Sequence, residues 1–175
     1  DATGQHVWSQ QFGPEGLQYG SRIAVDGAGD VTLGGKYLEG ITIGPDSYVN
    51  TWPNANEEVD DTLYDGFLIH LDGAGALQSS MQIGTKLDDA VIDLKFDSDG
   101  VLLMTAFTDE SVVVQAFVDG KPGWKWSTSA LQWSSTAVTT NAVVLGASIG
   151  VEIDLGGGVL AARGDEDMII AKILR

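Results

Sequence analysis

Short runs of alternating apolar and polar residues recur along the chain, separated by turns rich in aspartate and glycine. In the run at 66–71, for example, Phe67, Ile69 and Leu71 show the two-residue period of a strand with one buried face. The turn DGAGD at 26–30 places residues that tolerate a positive φ where a tight hairpin needs them. No segment shows a sustained 3.6-residue apolar period, so the pattern predicts an all-β fold. The predicted strands lie at 23–26, 31–37, 66–71, 76–83, 91–96, 101–107, 112–118, 124–127, 135–139, 142–149 and 168–174.

The pattern of strands and turns repeats. Residues 1–30 align with residues 72–101 at a constant offset, with identities at Asp1/Asp72, Gly4/Gly75, Ser9/Ser80, Gln11/Gln82, Gly13/Gly84, Asp26/Asp97 and Gly29/Gly100. Residues 31–44 align with 143–156, and DGFLIHL at 65–71 aligns with DMIIAKI at 167–173. The chain is therefore predicted to be a single segment, 1–175, of three copies at roughly 1–71, 72–123 and 124–175. Serial units of four antiparallel strands are typical of β-propeller blades, so about three blades are expected.

The two ends of the chain predict how such blades would close. Residues 1–13 correspond to the last strand of a copy, and the final residues correspond to a third strand, so each end supplies what the other lacks. Three blades are too few for a ring, which typically has four to eight. The sequence therefore predicts closure through another protein chain. That chain is either a second copy, which would give a homo-oligomer such as a six-blade dimer, or part of a larger complex or precursor that supplies further blades.

The turn and core positions also resemble a known family. The stretches VWSQQFG, SRIAVDGAGDVTLGGKY and DGFLIHLDGAGAL resemble the bacterial beta-propeller repeats called SBBP repeats. The resemblance covers nearly the whole chain, but only as repeats, and it implies a propeller that is secreted or displayed on a bacterial cell surface. The second copy departs from the repeat at Ser79, where the family has tryptophan, and at 103–105. The third copy lacks the Asp-Gly turn.

Charge narrows the set of partners. The formal net charge is −16 and the sequence pI is about 4.1. Nucleic acid and anionic membranes would repel such a surface, whereas cations and basic partners suit it. The chain has no cysteine, which excludes disulfides and thiolate metal sites, and no apolar run is long enough to predict membrane insertion.

An insertion at 45–64 interrupts the first copy and concentrates acidic and aromatic residues. A long loop on a rigid scaffold is a common place for binding residues, although a solvated, variable loop is the alternative interpretation. The residues predicted to bind a ligand or partner are Tyr48, Trp52, Glu57, Glu58, Asp60, Asp61 and Tyr64. Trp124 and Trp126 share one face of a predicted strand and join this set as a platform for a sugar or partner, unless they pack between blades.

No cofactor is expected, with calcium as the one candidate. Aspartates two residues apart in the turns can supply oxygen ligands, and the candidates are Asp26, Asp30, Asp97 and Asp99. None of these turns has the complete Asp-x-Asp-x-Asp-Gly pattern, and hairpin formation alone also accounts for them.

The motifs predict a binding protein and not an enzyme. No Gly-x-Ser-x-Gly, His-Glu-x-x-His or phosphate-binding glycine loop is present. The first prediction is a non-catalytic binding or scaffold propeller that mediates protein–protein assembly on the bacterial surface or outside the cell. The alternative is a lectin-like propeller that binds carbohydrate or another ligand with the assistance of calcium.

Overall fold

The computed structural model describes residues 3–13, 16–51, 63–129 and 131–175. Within these ranges the chain is all-β, and no helix there is long and apolar enough to span a membrane. The strands are β1 (Gln18–Val25), β2 (Val31–Tyr37), β3 (Gly40–Ile43), β4 (Asp46–Val49), β5 (Asp65–Leu71), β6 (Leu77–Ile83), β7 (Ala90–Phe96), β8 (Leu102–Thr108), β9 (Ser111–Val118), β10 (Lys121–Thr128), β11 (Gln132–Thr139), β12 (Ala142–Ile149), β13 (Ile153–Asp154), β14 (Val159–Leu160) and β15 (Asp167–Leu174).

Three antiparallel sheets follow one another along the chain. The first sheet has the strand order β1-β2-β5-β6, the second β7-β8-β9-β10 and the third β11-β12-β15. Each sheet is a meander, in which strands that follow one another along the chain lie side by side. Two small hairpins interrupt this order, β3-β4 in the first sheet and β13-β14 in the third, and each lies between the second and third strands of its sheet. The all-β, antiparallel prediction is confirmed.

Four of the turns share one local hydrogen-bond pattern. In each of these four the first aspartate accepts hydrogen bonds from the backbone N–H groups two and four residues further on, at 2.8–3.1 Å. Glycine then occupies positive φ, which it tolerates without strain. The predicted turns therefore form because an aspartate side chain satisfies backbone donors that the ladder leaves unpaired. The aspartates are Asp26, Asp72, Asp97 and Asp154.

The first strand of each sheet carries the same irregularity. The register shifts between Gly20 and Arg22 in β1, between Val91 and Asp93 in β7, and between Gln132 and Ser134 in β11. A bulge bends and twists its strand and changes where the side chains point. Because it recurs in all three sheets, the bulge supports the repeat seen in the sequence.

The sheets pack face to face in a row, with β7 against the first sheet and β11 against the second. We call the face of each sheet toward the next one its forward face, and the opposite face its rear face. Leu68 on the forward face of the first sheet packs against Leu94 and Met104 on the rear face of the second. Val112 and Val114 on the forward face of the second sheet join a cluster with the rear face of the third. The third sheet contributes Val143, Leu145, Ala147 and Ile149 to that cluster.

Two parts of the prediction differ from the structure. Residues 1–13 were expected to be a strand, but residues 4–13 pair in no ladder of the described chain. The hairpins β3-β4 and β13-β14 were not expected, because each of their strands has only two to four residues.

Candidate functional site

The forward face of the third sheet is apolar and uncovered. Burial alternates along β15, so that Ile169 and Ile173 pack inward while every second residue points away from the core. The outward apolar side chains are Met168, Ile170 and Leu174, which are 86%, 77% and 71% exposed. A strand that is apolar on both faces is typical of a sheet covered on both sides. An exposed apolar face of this kind marks an interaction surface.

The outer edge of the same strand is also open. β15 pairs with β12 along its whole length, from Asp167 opposite Ile149 to Leu174 opposite Ala142. Among the residues that the structure describes, no strand pairs with the other side of β15, whereas the first and second sheets each have a fourth strand there. Unpaired N–H and C=O groups in a row are a template for another strand. Face and edge together make β15 the strongest candidate contact site in the described chain.

Residues 3–13 cover part of the opposite end of the row. Trp8 and Phe12 pack against the rear face of the first sheet, beside Phe67 and Ile69. The Trp8 Nε1–H donates to the carbonyl of Gly73 at 3.2 Å, and Gln10 Nε2 donates to the carbonyl of Gly75.

Gly75 is required for this arrangement. A Cβ built on it would lie 2.9 Å from Cδ2 of Trp8, and its φ of 86° is unfavourable for other residues. Toward β1 the same rear face is uncovered, because Ile23 and Val25 are 65% and 56% exposed.

Polar contacts fix how successive sheets meet. Ser21 Oγ donates to the carbonyl of Val91 at 2.9 Å, and Arg22 Nε donates to the carbonyl of Ile92 at 2.5 Å. These donors lie at the bulge of β1 and reach the bulge of β7, so the shared irregularity positions the contact.

The second and third sheets meet through Asp93. Its Oδ2 accepts from the backbone N–H of Thr136 at 2.9 Å and from Thr136 Oγ1 at 2.7 Å, while Lys95 pairs with Oδ1 at 2.8 Å. Burial alone would raise the pKa of Asp93, but the hydrogen bonds from Lys95 and Thr136 outweigh it, and the pKa is lowered. Sequence reasoning missed Asp93 because an aspartate in a strand gives no sign of the sheet it will face.

Most of the predicted insertion site lies outside the described residues, namely Trp52, Glu57, Glu58, Asp60 and Asp61. The two tyrosines of the set, Tyr48 and Tyr64, make different contacts. Tyr48 in β4 packs on the rear face of the first sheet, and its hydroxyl is 2.8 Å from Ser80 Oγ. Tyr64 lies edge-on to Tyr19 with ring centroids 5.9 Å apart, and Lys36 Nζ lies 3.9 Å from its ring centre.

Trp124 and Trp126 are half-buried on the forward face of the second sheet, where they pack against the cluster shared with the third sheet. They do lie on one face of β10, as their spacing predicts. Their rings contribute to packing between sheets, which leaves less of each ring open to a sugar.

The calcium candidates are engaged in other contacts. Asp26 and Asp97 each cap a turn, Asp30 Oδ1 accepts from the backbone N–H of Gly73 at 2.9 Å, and Asp97 also forms an ion pair with Arg175. Asp99 donates its backbone N–H to Asp97. Among the described residues, no group of three aspartate, glutamate or histidine side chains is placed to hold a metal ion.

Two buried carboxyl groups lie at strand starts, Asp65 as the first residue of β5 and Asp89 directly before β7. Asp65 accepts hydrogen bonds from Thr51 N at 2.7 Å and from Gln82 Nε2 at 2.7 Å, and it faces the hydroxyl of Tyr37. Asp89 is fully buried and accepts from Thr85 through Oδ2, and burial raises the pKa of Asp89. These groups hold loop backbone in place, which is a structural use of the acidic residues.

An open cleft of about 620 Å³ separates the first and second sheets at their turn end. Thr32, His70 and Ser79 line one wall, and Phe96 and Phe117 line the other. His70 Nδ1 lies 3.1 Å from Thr32 Oγ1. The packing of the two sheets places this histidine in the cleft.

The chain matches no protein-family model and no curated protein. The surfaces of β15 and of the first sheet are therefore the best indication of what the protein does.

Proposed function

We propose that this protein is a non-catalytic binding or scaffold protein whose three sheets are blades of a β-propeller completed by another protein chain. The observation that carries the proposal is the third sheet, which combines an apolar forward face with an unpaired outer edge on β15. Within the row, each forward face of this type is covered by the next sheet. The uncovered forward face of the third sheet supports a contact with a sheet of another chain.

The connectivity supports blades. Each sheet is a meander, and the first strand of the second and of the third sheet packs against the sheet before it, as expected of sheets arranged radially around an axis. The resemblance of the repeats to bacterial propeller repeats favours the same arrangement, and with it a location on the bacterial surface or outside the cell.

The native mass of the purified chain, set against its denatured mass, tests this proposal. We expect a native mass above that of one chain, and we expect Ile170→Asp to return it to one chain, because a charge on the forward face cannot be buried against an apolar partner. Val159→Asp is the matched control, since Val159 is 65% exposed on the β13-β14 hairpin and lies outside the contact. A wild-type protein that remains a single chain, both alone and mixed with an extract of its source cells, would contradict the proposal.

A further inference from the structure

Residues 3–13 pack against the rear face of the first sheet, and β6 packs in the equivalent position against the rear face of the second sheet. Met81 and Ile83 of β6 pack against the rear face of the second sheet. At the repeat offset of 71 residues, Gln10 and Phe12 are their equivalents, and Phe12 packs against the rear face of the first sheet. The segment 3–13 therefore occupies the position of an outermost strand, although the other strands of its sheet are not beside it.

β15 is the third strand of a sheet whose outermost strand is not beside it. It aligns with β5, and β5 pairs with β6 through Gly66 opposite Ile83, Leu68 opposite Met81 and His70 opposite Ser79. Transferring this register through the repeat gives the pairs between β15 and the segment 3–13. They are Met168 with Phe12, Ile170 with Gln10, and Lys172 with Trp8.

The faces agree with this register. In a strand, residues 8, 10 and 12 point to one side, and Trp8 and Phe12 contact the rear face of the first sheet. Lys172 and Met168, their counterparts in the register, lie with Ile170 on the exposed forward face of the third sheet. Pairing β15 with the segment would thus lay these exposed side chains over the rear face of the first sheet, including the uncovered side chain of Ile23.

Charge favours contact between these surfaces. The chain has 25 acidic residues, but residues 3–13 contain none, and neither do the outward positions 168, 170, 172 and 174 of β15. Lys172 is the charged residue among those positions. Two copies with a net charge of −16 each repel overall, so contact is favoured where acidic residues are missing.

The two surfaces belong to opposite ends of one row, with the second sheet between them. One chain therefore cannot pair its own segment 3–13 with its own β15 while the sheets stay packed. We infer that the segment 3–13 of a second copy of this chain forms the fourth strand of the third sheet, antiparallel to β15 in the register given above. Two such head-to-tail contacts close a ring of six sheets. This inference rests on the proposed function and names its partner.

Cysteine cross-linking tests the register directly, because the chain has no cysteine of its own. The variant Gln10→Cys/Ile170→Cys places two thiols on directly opposed residues, where Cβ atoms are about 4.5–5.5 Å apart and a disulfide is within reach. The matched control Gln10→Cys/Lys172→Cys shifts the pair by two residues on the same face. After mild oxidation at roughly 0.15 M salt, where surface repulsion is screened, denaturing electrophoresis without reductant gives the yield of two-chain product. The same assay on a mixture of the Gln10→Cys and Ile170→Cys single variants detects exchange between copies.

We expect at least about tenfold more two-chain product from the paired variant than from the shifted control, and a native mass of two chains for the wild type. A disulfide formed within one chain would overturn the inference, and so would a native mass of long polymers. A two-chain native mass with equal cross-linking of both variants would overturn the register while the proposed function stands. A single-chain native mass with no partner would overturn both.

Discussion

The rear face of the first sheet and the forward face of the third sheet are the two outer faces of the same row, yet only one of them is largely covered. Trp8, Phe12 and the β3-β4 hairpin lie over the first sheet, so Phe67 and Ile69 are almost fully buried. The third sheet has a hairpin at the equivalent place, β13-β14, but its forward face stays open. Both faces are apolar, so the difference lies in which segments cover them. The solvent exposure of the outward side chains of β15 is therefore what a bound partner would change most.

The largest contrast is expected between two apolar residues on opposite sides of the third sheet. Leu145 is fully buried against the second sheet, and Leu145→Ala should lower the free energy of unfolding by about 2–5 kcal/mol. Ile170→Ala should change it by less than about 0.5 kcal/mol at concentrations low enough to keep the chain single. Urea unfolding of both variants checks this, and a similar cost for the two would mean that the forward face is already covered.

The next largest effect is expected when the contact between the second and third sheets is removed at Asp93. Asp93→Ala leaves the backbone N–H of Thr136 without its partner, which should cost about 1–3 kcal/mol. Asp93→Asn keeps an acceptor oxygen and should cost less.

The same pair of variants gives a pH dependence. Because the pKa of Asp93 is lowered below its ordinary value of 3.8, the folded state binds fewer protons than the unfolded state in that range. The contribution of the Asp93 carboxylate to the free energy of unfolding is complete above about pH 4–5, and it is lost as the pH falls through the pKa of the folded state. When the free energy of unfolding is measured from pH 7 to pH 2, it should therefore fall less in Asp93→Asn than in the wild type. Parallel pH curves would contradict this.

A smaller effect is expected when the cover of the first sheet is removed. Trp8 is half-buried, so Trp8→Ala should cost about 1–3 kcal/mol, below the 3–5 kcal/mol typical of fully buried aromatic residues. Val7→Ala is the control, because Val7 is 71% exposed. Hydrogen exchange should show faster exchange in β5 and β6 of the Trp8 variant. If exchange quickened equally in β12, the segment would be acting on the whole row and not on the first sheet.

The last contrast concerns the ion pair between the first turn of the second sheet and the end of β15. Both side chains of the pair are buried, and Arg175 also donates to the carbonyl of Thr140 at 2.8 Å, so Arg175→Ala should cost about 1–3 kcal/mol. Burial alone would raise the pKa of Asp97, but hydrogen bonds, with that from Arg175 the largest, lower it. The carboxyl resonance of Asp97 should consequently titrate at a higher pH in the variant. An unchanged titration would mean that the turn N–H groups alone set this pKa.

The strands and turns were predictable because their signals are local. The two-residue period in 66–71 and the aspartate at 72 each act within a few residues, and both elements form where expected. The packing of Trp124 and Trp126 was one of two interpretations, and the structure shows how the third sheet covers them. Asp93, His70 and Asp65 could not be assigned, because their roles depend on which sheet or loop faces them after packing. Residues 4–13 show the same limit, since a predicted strand without a neighbouring strand forms no ladder.

The meander has a consequence for the order in which the protein is made. The second sheet uses only residues 90–128, so it can assemble as soon as that stretch leaves the ribosome. Residues 3–13 are synthesised much earlier than Phe67 and Ile69, against which they pack. At roughly 5–20 residues per second, the tryptophan at position 8 waits several seconds for its binding surface. During that interval this stretch is open to a chaperone, or to the strand edge of a neighbouring nascent copy.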